Sequence, residues 1–407
     1  MLIDPDIKDL HSLLRPKFGN EFIIENCEIK DFLLPGENYG SKIVSVHVII
    51  RRTKLSNNED IWLIAKLPPT LQIQREIFNS PFTFSKEYFM YKKILPHYKQ
   101  LNISNGKNNL YDIGADFYGA RLSLNSDVEF DDNAAILLEN LKIKNYYSVD
   151  RKLGCDLLHA KLAIKKLAEF HAFGLATKEK HSDLFNLFKK KSKCMEFKDI
   201  DGWTKVVTKK LKFIENDKVM SVHFEDCKKA VESAGFNVWT DVPEEPWSTI
   251  IHADFWTNNI MFHKGDNGEL DDVKFVDFQN YLFLAPTRDL TFFIGCGLDG
   301  NVIKENVDEL IDLYYETIIE KIKQLDCDIE PYSRASFDKR IKIDACIEFT
   351  HCMCMLKIIT LDTDSDNLDA SDVINVMEDE GVNHFYLERV RNFVSVFHAR
   401  GWLGNNL

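Results

Sequence analysis

The sequence has no long apolar run and no concentration of basic residues. None of its segments approaches the ~18 uninterrupted apolar residues of a membrane-spanning helix. Lys and Arg number 51 against 64 Asp and Glu, for a formal net charge of −13, and the basic residues are scattered along the chain. We therefore expect neither a membrane nor nucleic acid among its partners, because both bind mainly basic or apolar surfaces.

The sequence also lacks the cysteine spacing of a disulfide-stapled or zinc-binding domain. Its nine cysteines follow no regular interval, and a chain of 407 residues can bury two cores without disulfides. Cys346, His351, Cys352 and Cys354 are close in sequence, but they lie in an apolar segment typical of a buried helix. Because a helix turns by about 100° per residue, Cys352 and Cys354 would face opposite sides, which favours a core helix over a zinc site.

The first residues do not have the pattern of a secretory signal. Asp4 and Asp6 come early, and no basic region is followed by an apolar core. We therefore expect a cytoplasmic protein whose thiols are reduced.

One segment, residues 249–279, carries the candidate chemistry. His252, Asp254 and Asn259 follow an apolar run with the spacing H-x-D-x-x-x-x-N, and Asp277 comes directly after another apolar run. Turn-forming residues at 265–268 separate two of these runs. The pattern predicts a strand, a loop and a β-hairpin. The alternative is that the histidine and aspartate only cap a turn between two core strands.

Folding of this hairpin would bring oxygen ligands together. Asn259 and Asp277 would lie near each other, with Asp254 in the preceding loop, and such oxygens suit Mg²⁺. The spacing fits the phosphoryl-transfer template, in which one aspartate accepts the proton of the attacking hydroxyl. We predict Asp254 as that base and Asn259 and Asp277 as metal ligands. His252 is predicted to bond the backbone near Asp277, and Asp289 to steady the loop.

A lysine and a glutamate upstream supply the next part of this template. Lys66 lies near the end of an apolar strand pattern, so its ammonium must reach water or find an anion. Glu87 projects from the apolar face of a helix predicted to begin with Ser80 as its N-cap and to stop at Pro96. We predict that Lys66 and Glu87 pair, which would orient the lysine toward nucleotide phosphates.

A polar turn before a strand is a less specific phosphate-binding candidate. Gly36 and Gly40 bracket this turn, and with Ser41 they could lay backbone N–H groups and a hydroxyl over phosphates. The complete G-x-G-x-x-G pattern is missing, so an ordinary hairpin turn is the alternative.

A change of pattern near residue 138 divides the chain. Strand patterns precede it, and long helical patterns follow it, including a helix at 155–176 whose His171 we interpret as a core histidine. We predict an N-lobe, residues 1–138, and a C-lobe, residues 139–407. In the connection, backbone groups of Glu139 and Leu141 would hold adenine.

Together these features resemble the protein-kinase-like superfamily, and more closely the ecdysteroid kinase-like family, also called CHK kinase-like. The resemblance spans both predicted lobes. Besides Lys66, Glu87, Asp254, Asn259 and Asp277, it is carried by the segments GENYGS at 36–41, AKLPP at 65–69, FSKEYFMYKKILP at 84–96, LLENL at 137–141, LAEFHA at 167–172, HADFWTNNIMF at 252–262, VDFQ at 276–279 and RDL at 288–290.

The resemblance implies a two-lobed α+β fold, with a small antiparallel sheet and one key helix in the N-lobe and a larger, mainly helical C-lobe. It also implies phosphorylation of a small-molecule hydroxyl with ATP and Mg²⁺, the acceptor being steroid-like or xenobiotic and ecdysteroids being the best-known substrates. No protein partner is indicated. Ala253 replaces the usual glycine of the family and Asn140 a common aspartate, but neither position has a phosphate or metal role.

Three alternatives compete with a small-molecule kinase that has an ecdysteroid-like acceptor. A protein kinase is disfavoured because Asp289 follows Asp277 too soon to leave room for a peptide-docking segment. A catalytically inactive pseudokinase is disfavoured because the lysine, base and metal aspartate are all retained. A choline or ethanolamine kinase is the runner-up, since a cation cage could be built from the aromatic residues Trp256, Phe292, Phe293, Tyr314 and Tyr315.

Overall fold

The computed structural model describes most of the chain and divides it into two compact units. The sequence-based boundary between residues 138 and 139 stays a prediction, while the contacts place the junction at Tyr146 and Tyr147 and assign residues 96–113 to the second unit. The described residues are 7–32, 40–104, 111–196, 200–361, 376–377 and 381–404.

The first unit is built on a five-stranded antiparallel sheet with strand order β1-β2-β3-β5-β4. The strand patterns predicted before residue 138 are confirmed by this sheet. Strand β3 lies at the centre and is paired on both edges. The strands are β1 (Ile23–Asp31), β2 (Lys42–Arg51), β3 (Asn58–Leu67), β4 (Phe117–Arg121) and β5 (Ala135–Glu139).

One face of this sheet forms the core of the first unit. Leu63, Ala65 and Leu67 of β3 pack in one buried cluster with leucines of helix α1 (Leu10–Phe18). Gly119 lets this helix approach β4, since a Cβ there would lie 1.8 Å from the Leu13 carbonyl oxygen. Because side chains alternate along a strand, Lys66 points to the opposite face.

The helical segment after β3 departs from the prediction in two details. Helix α2 (Gln72–Ile77) comes first, and α3 (Ser80–Phe89) has Asn79, not Ser80, as its N-cap. The predicted stop at Pro96 is wrong, because a π-helical turn (Met90–Ile94) leads into α4 (Leu95–Ser104). The wider π-helical turn lies just before Pro96, so the helix continues past a residue that would otherwise interrupt an α-helix.

The second unit is mainly helical, as predicted. Its helices bury apolar faces spaced at three and four residues. They are α5 (Leu157–Lys180), α6 (Ser182–Lys191), α7 (Ile200–Asn216), α8 (Phe224–Ser233), α9 (Thr287–Cys296), α10 (Val302–Glu305), α11 (Val307–Gln324), α12 (Arg334–Ile359) and a final helix (His384–Ala399).

Two small antiparallel sheets in the second unit carry the candidate loop. Strand β6 (Thr249–Ile251) pairs with β9 (Leu282–Leu284), and β7 (Ile260–Lys264) pairs with β8 (Leu270–Phe275). Helix α5 packs closely on β6 at Gly174, where a Cβ would lie only 2.1 Å from Thr249 Oγ1. The strand that leads into the loop is therefore held against a long helix.

The predicted α+β class is confirmed by this arrangement. All nine cysteines are free thiols, and Cys352 and Cys354 are buried in α12, as a core helix requires. In the described part of the chain, no three His, Cys, Asp or Glu side chains are grouped to hold a metal ion. Among the helices that the structure describes, none has the length and apolar character needed to cross a bilayer.

Candidate active site

The β7–β8 hairpin brings Asn259 and Asp277 close together, as the sequence predicts. Ile260 lies opposite Phe275, and the Val276 N–H donates to the Asn259 carbonyl at 3.0 Å. Asn259 thus ends a 3₁₀ turn just before the first strand, and Asp277 follows directly after the second. The register of the hairpin sets their separation.

Asp254 is held between two amide side chains. Asn259 Nδ2 donates to the Asp254 carbonyl at 2.9 Å and to its Oδ2 at 3.1 Å, and Asn280 Nδ2 is 3.4 Å from the same Oδ2. Burial raises the pKa of Asp254 to about 7, and the Asp277 carboxylate adds to the rise. A carboxyl group that titrates near neutrality can act as a general base.

Asp277 and Ala253 have left-handed backbone conformations. Their φ angles are +60° and +62°, a region that costs a non-glycine residue roughly 1–2 kcal/mol. Such strain is tolerated where the surroundings fix the backbone, commonly at functional sites. The positive φ of Ala253 explains why the family that the sequence resembles usually has glycine at this position. Gln279 Nε2 donates to Asp277 Oδ2 at 3.1 Å.

The Asp289 side chain binds backbone N–H groups at the start of the loop. Its carboxylate accepts the N–H groups of His252 at 2.7 Å and Ala253 at 2.8 Å, and it also accepts from His171 Nε2 at 3.1 Å. His171 is completely buried, and its Nδ1 accepts from the Tyr314 hydroxyl at 2.7 Å. His171 is therefore a core histidine with both ring nitrogens bonded.

His252 fixes the other side of the loop. Its Nε2 lies 3.0 Å from the Val276 carbonyl, the backbone contact beside Asp277 that the sequence analysis expected. Burial lowers the pKa of His252, so the ring is neutral at pH 7 and donates its single N–H to this carbonyl. The supporting roles of His252 and Asp289 stay predictions, but their contacts join β6, the loop and the end of β8.

In the first unit, Lys66 and Glu87 form a buried ion pair. Lys66 Nζ lies 2.6 Å from Glu87 Oε2, and their side chains are 5% and 1% exposed. Lys66 is on the central strand, opposite Ile43 and Ile136, while Glu87 comes from α3. The contact predicted from the sequence is present, and its role toward a nucleotide stays a prediction.

The other predicted nucleotide-binding residues are placed only in part. Gly36 lies outside the described residues, whereas Gly40 and the buried Ser41 directly precede β2. Glu139 ends β5, and its N–H donates to the Asp116 carbonyl at 2.8 Å. The buried Leu141 begins a 3₁₀ turn capped by Asn140. These residues stay predictions as nucleotide contacts.

The donor set in the second unit fits Mg²⁺. Because Asn259 directs its amide nitrogen at Asp254, its oxygen faces the other way. One amide oxygen and the carboxylate of Asp277 are the hard ligands that Mg²⁺ takes when phosphates and water complete its shell. Asn259 and Asp277 are therefore suited to hold Mg²⁺. Their role as metal ligands stays a prediction.

Comparison with known proteins now assigns the chain to a family. The model of the ecdysteroid kinase-like family matches residues 35–327, a segment that contains every candidate site residue. The chain belongs to the ecdysteroid kinase-like family. The predicted resemblance is thereby confirmed, and family membership supports a small-molecule phosphotransferase. No curated protein gives a significant match.

Solved structures similar to this ecdysteroid kinase-like protein include three kinases. A Plasmodium vivax ethanolamine kinase is 13% identical, with 96% of this chain and 87% of that chain covered and a TM-score of 0.39. A spectinomycin phosphotransferase in complex with ADP and spectinomycin is 11% identical, with 93% of this chain and 94% of that chain covered and a TM-score of 0.44. A choline/ethanolamine kinase family protein from Mesorhizobium loti is 11% identical, with 86% of this chain and 89% of that chain covered and a TM-score of 0.30. The family assignment rests on the family model alone.

Three of the five aromatic residues considered for a cation cage, Phe292, Phe293 and Tyr314, are buried. Tyr314 and Phe293 are completely buried, with Tyr314 bonded to His171 and Phe293 packed on Phe255. Phe292 stacks on His351 instead.

The sequence analysis did not predict a second cluster of charged side chains near the loop. Arg288 on α9 pairs with Glu348 on α12, and His351 Nδ1 lies 2.8 Å from Glu348 Oε2. The signal was available, because Asp344 and Glu348 interrupt an apolar helical segment just as Glu87 does. A buried acid needs a cation, and Arg288 beside Asp289 was the candidate.

Proposed function

We propose that this protein is an ATP-dependent, Mg²⁺-dependent kinase that transfers the γ-phosphate to a hydroxyl of a small molecule. The observation that supports this best is the Asp254 carboxylate, which is bonded to Asn259 and whose pKa is raised to about 7 by burial and, to a smaller extent, by the charge of Asp277. Family membership favours an ecdysteroid-like or other hydroxylated acceptor.

Asp254 would accept the proton of the acceptor hydroxyl as its oxygen attacks. Its carbonyl and one carboxylate oxygen are fixed by Asn259, so the carboxylate can turn little. The raised pKa makes it a stronger base than an exposed aspartate, while about half of the Asp254 carboxyl groups are ionised at pH 7. The neutral His252 is bonded to backbone and would not take part in proton transfer.

Asn259 and Asp277 would hold Mg²⁺, which when bound would neutralise charge on the transferred phosphoryl group. The left-handed backbone of Asp277 and the bond from Gln279 fix this carboxylate. Asp289 would keep the loop in place through the N–H groups of His252 and Ala253. These residues would therefore act by positioning, with little movement during the reaction.

In the first unit, Lys66 would bind nucleotide phosphates. Glu87 holds its ammonium group in a buried position, so the charge is directed rather than mobile. Gly36, Gly40 and Ser41 would contribute phosphate contacts, and the backbone of Glu139 and Leu141 would hold adenine. We propose a cytoplasmic location for this activity.

The experiment is a test of phosphoryl transfer from ATP with Mg²⁺ to a panel of hydroxylated small molecules. The panel contains 20-hydroxyecdysone, other steroids, glycosides and choline, and Asp277→Asn is the control. We expect transfer to one class of acceptor that is lost in the control. Nucleotide binding without transfer to any member of the panel would instead favour the pseudokinase alternative.

A further inference from the structure

Gln279 lies on a short 3₁₀ turn that directly follows Asp277. The turn spans Phe278–Asn280, and the left-handed backbone of Asp277, with φ of +60° and ψ of +56°, starts it. Gln279 is only 7% exposed, and its Nε2 donates to Asp277 Oδ2 at 3.1 Å. The side chain therefore folds back onto the carboxylate of the candidate metal ligand.

The chemistry of this contact fixes the direction of the Gln279 amide. A carboxylate only accepts hydrogen bonds, so the NH₂ end of the amide faces Asp277 and its oxygen faces away. This oxygen, Oε1, is buried, and none of the residues that the structure describes donates to it. By itself such an atom is only a cost to folding. Beside a ligand of a hydrated ion, it is placed to accept from one of the ion's waters.

The same contact makes the two oxygens of Asp277 unequal. Oδ2 accepts from Gln279, and this bond opposes rotation of the carboxylate. Coordination of one ion by both oxygens requires the carboxylate to turn both of them toward that ion. The bond from Gln279 therefore favours coordination by a single oxygen.

Asn259, the other candidate ligand, is restrained in a similar way. Its Nδ2 donates to the carbonyl and to Oδ2 of Asp254, which leaves its amide oxygen for a metal ion. The two ligands then offer one oxygen each, in fixed directions. Mg²⁺ takes few protein oxygens in a strict octahedral geometry and keeps several waters, whereas Ca²⁺ takes six to eight oxygens and often both oxygens of a carboxylate.

We propose that Gln279 is a positioning residue that makes the site of Asn259 and Asp277 prefer Mg²⁺ to Ca²⁺. It holds the Asp277 carboxylate so that a single oxygen is offered to the ion, and its own amide oxygen accepts from a water on that ion. The ligand roles of Asn259 and Asp277 rest on the proposed function, whereas the preference between two ions is measured without phosphoryl transfer.

The preference is measured on the full chain by displacement of Mn²⁺, with no nucleotide present. Mn²⁺ held by the protein enhances the relaxation of water protons, and increasing amounts of Mg²⁺ or Ca²⁺ remove this enhancement. Only the Mn²⁺ whose binding is lost in Asp277→Asn is counted, because that ion lies at this site. The ratio of the two displacement constants gives the preference.

The matched variants are Gln279→Met and Gln324→Met. Methionine has about the length of glutamine but lacks the amide donor and acceptor. Gln324 Nε2 also donates to a carboxylate, that of Glu320 at 2.6 Å, in a contact on α11 that includes neither candidate ligand. Its replacement should leave the preference unchanged.

In Gln279→Met we expect the affinity for Mg²⁺ to fall about tenfold or more, the usual effect of losing a group that orients a metal ligand. The affinity for Ca²⁺ should change less, because a released carboxylate can turn both oxygens toward the larger ion. The preference for Mg²⁺ should therefore decrease.

Equal or tighter binding of Ca²⁺ by the unmodified protein would overturn the proposal, and so would an unchanged preference in Gln279→Met. Either result leaves the kinase assignment intact, because phosphoryl transfer is measured separately. Absence of any Mn²⁺ binding that depends on Asp277 would overturn the ligand role of Asp277 and this proposal with it. Conversely, a protein that shows the expected ion preferences but transfers no phosphate would overturn only the proposed function.

Discussion

Each of the two units contains a buried ion pair. In the first unit the pair joins a strand to a helix, in the second it joins two helices, and the two pairs differ in the chemistry of their cation. Lys66 and Glu87 are 5% and 1% exposed, and Arg288 and Glu348 are 4% and 2% exposed. Lysine is a compact charge on a flexible stem, whereas arginine is a planar group with five donors in fixed directions.

The difference suggests separate tasks. Glu87 restrains a point charge, which suits attraction of phosphates from any direction. Glu348 and the Val238 carbonyl hold the planar guanidinium of Arg288 in one orientation beside the loop. A buried pair is weak evidence for stability by itself, and for Lys66 and Glu87 we predict a role in nucleotide binding.

The largest effect is expected from Lys66→Ala. This change leaves Glu87 buried without its lysine, and breaking such a pair costs about 3–5 kcal/mol in the free energy of unfolding. Phosphoryl transfer should also fall by ~10² or more, the loss typical when one preorganised electrostatic group is removed. Denaturant unfolding and turnover of the same preparation measure the two effects.

The double variant Lys66→Met with Glu87→Leu separates stability from function. It replaces the pair by apolar side chains of similar size, so most of the lost stability should return while turnover stays low. Recovery of turnover together with stability would show that the pair has only a structural role.

A smaller effect is expected from Glu348→Gln. The amide can still accept from Arg288 but without a charge, so we expect a loss of roughly 1.5–3 kcal/mol at pH 7, the range for hydrogen bonds to charged groups. This variant should also change how stability depends on pH.

The sign of that change follows from the pKa of Glu348. Burial alone would raise it, but the charge of Arg288 and the bond with His351 outweigh burial and lower it below 4.5. The unfolded chain then binds more protons, so the contribution of Glu348 is complete above pH 4.5 and is lost as pH falls. Thermal unfolding between pH 7 and pH 3.5 should therefore show a shallower acid loss in Glu348→Gln, and an unchanged slope would contradict the pairing.

The smallest effect is expected from an exposed pair that serves as a contrast. Arg52 Nε lies 2.9 Å from Glu59 Oε1, and the side chains are 50% and 39% exposed. Solvent screens such a pair, so Arg52→Ala should change the free energy of unfolding by only ~0–1 kcal/mol. A cost as large as that of Lys66→Ala would mean that burial does not distinguish these pairs.

Much of the fold follows from local patterns in the sequence. Alternation predicts β2 because Val44, Val46 and Val48 face the core. Helical spacing predicts α5, and the apolar segment around Cys352 predicts the buried helix α12. The prediction that the helix stops at Pro96 failed for a physical reason. A π-helical turn depends on the packing around the helix, and no residue type in the sequence marks it.

The candidate site divides in the same way. The Asn259 and Asp277 pair was predictable because one hairpin register sets it. The Lys66–Glu87 pair followed from an acid on an apolar face. Arg288 and Glu348 lie 60 residues apart in the chain, and only the packing of α9 on α12 brings them together, although Glu348 met the same rule as Glu87.

The measurement that tests the central claim most directly is the single-turnover rate of phosphoryl transfer by Asp254→Asn, compared with the unmodified protein for the acceptor found in the panel. We predict a rate lower by ~10² or more, since the general base is removed, with nucleotide affinity and thermal stability nearly unchanged. An equal rate of transfer in the two proteins would contradict the assignment of Asp254 as the base.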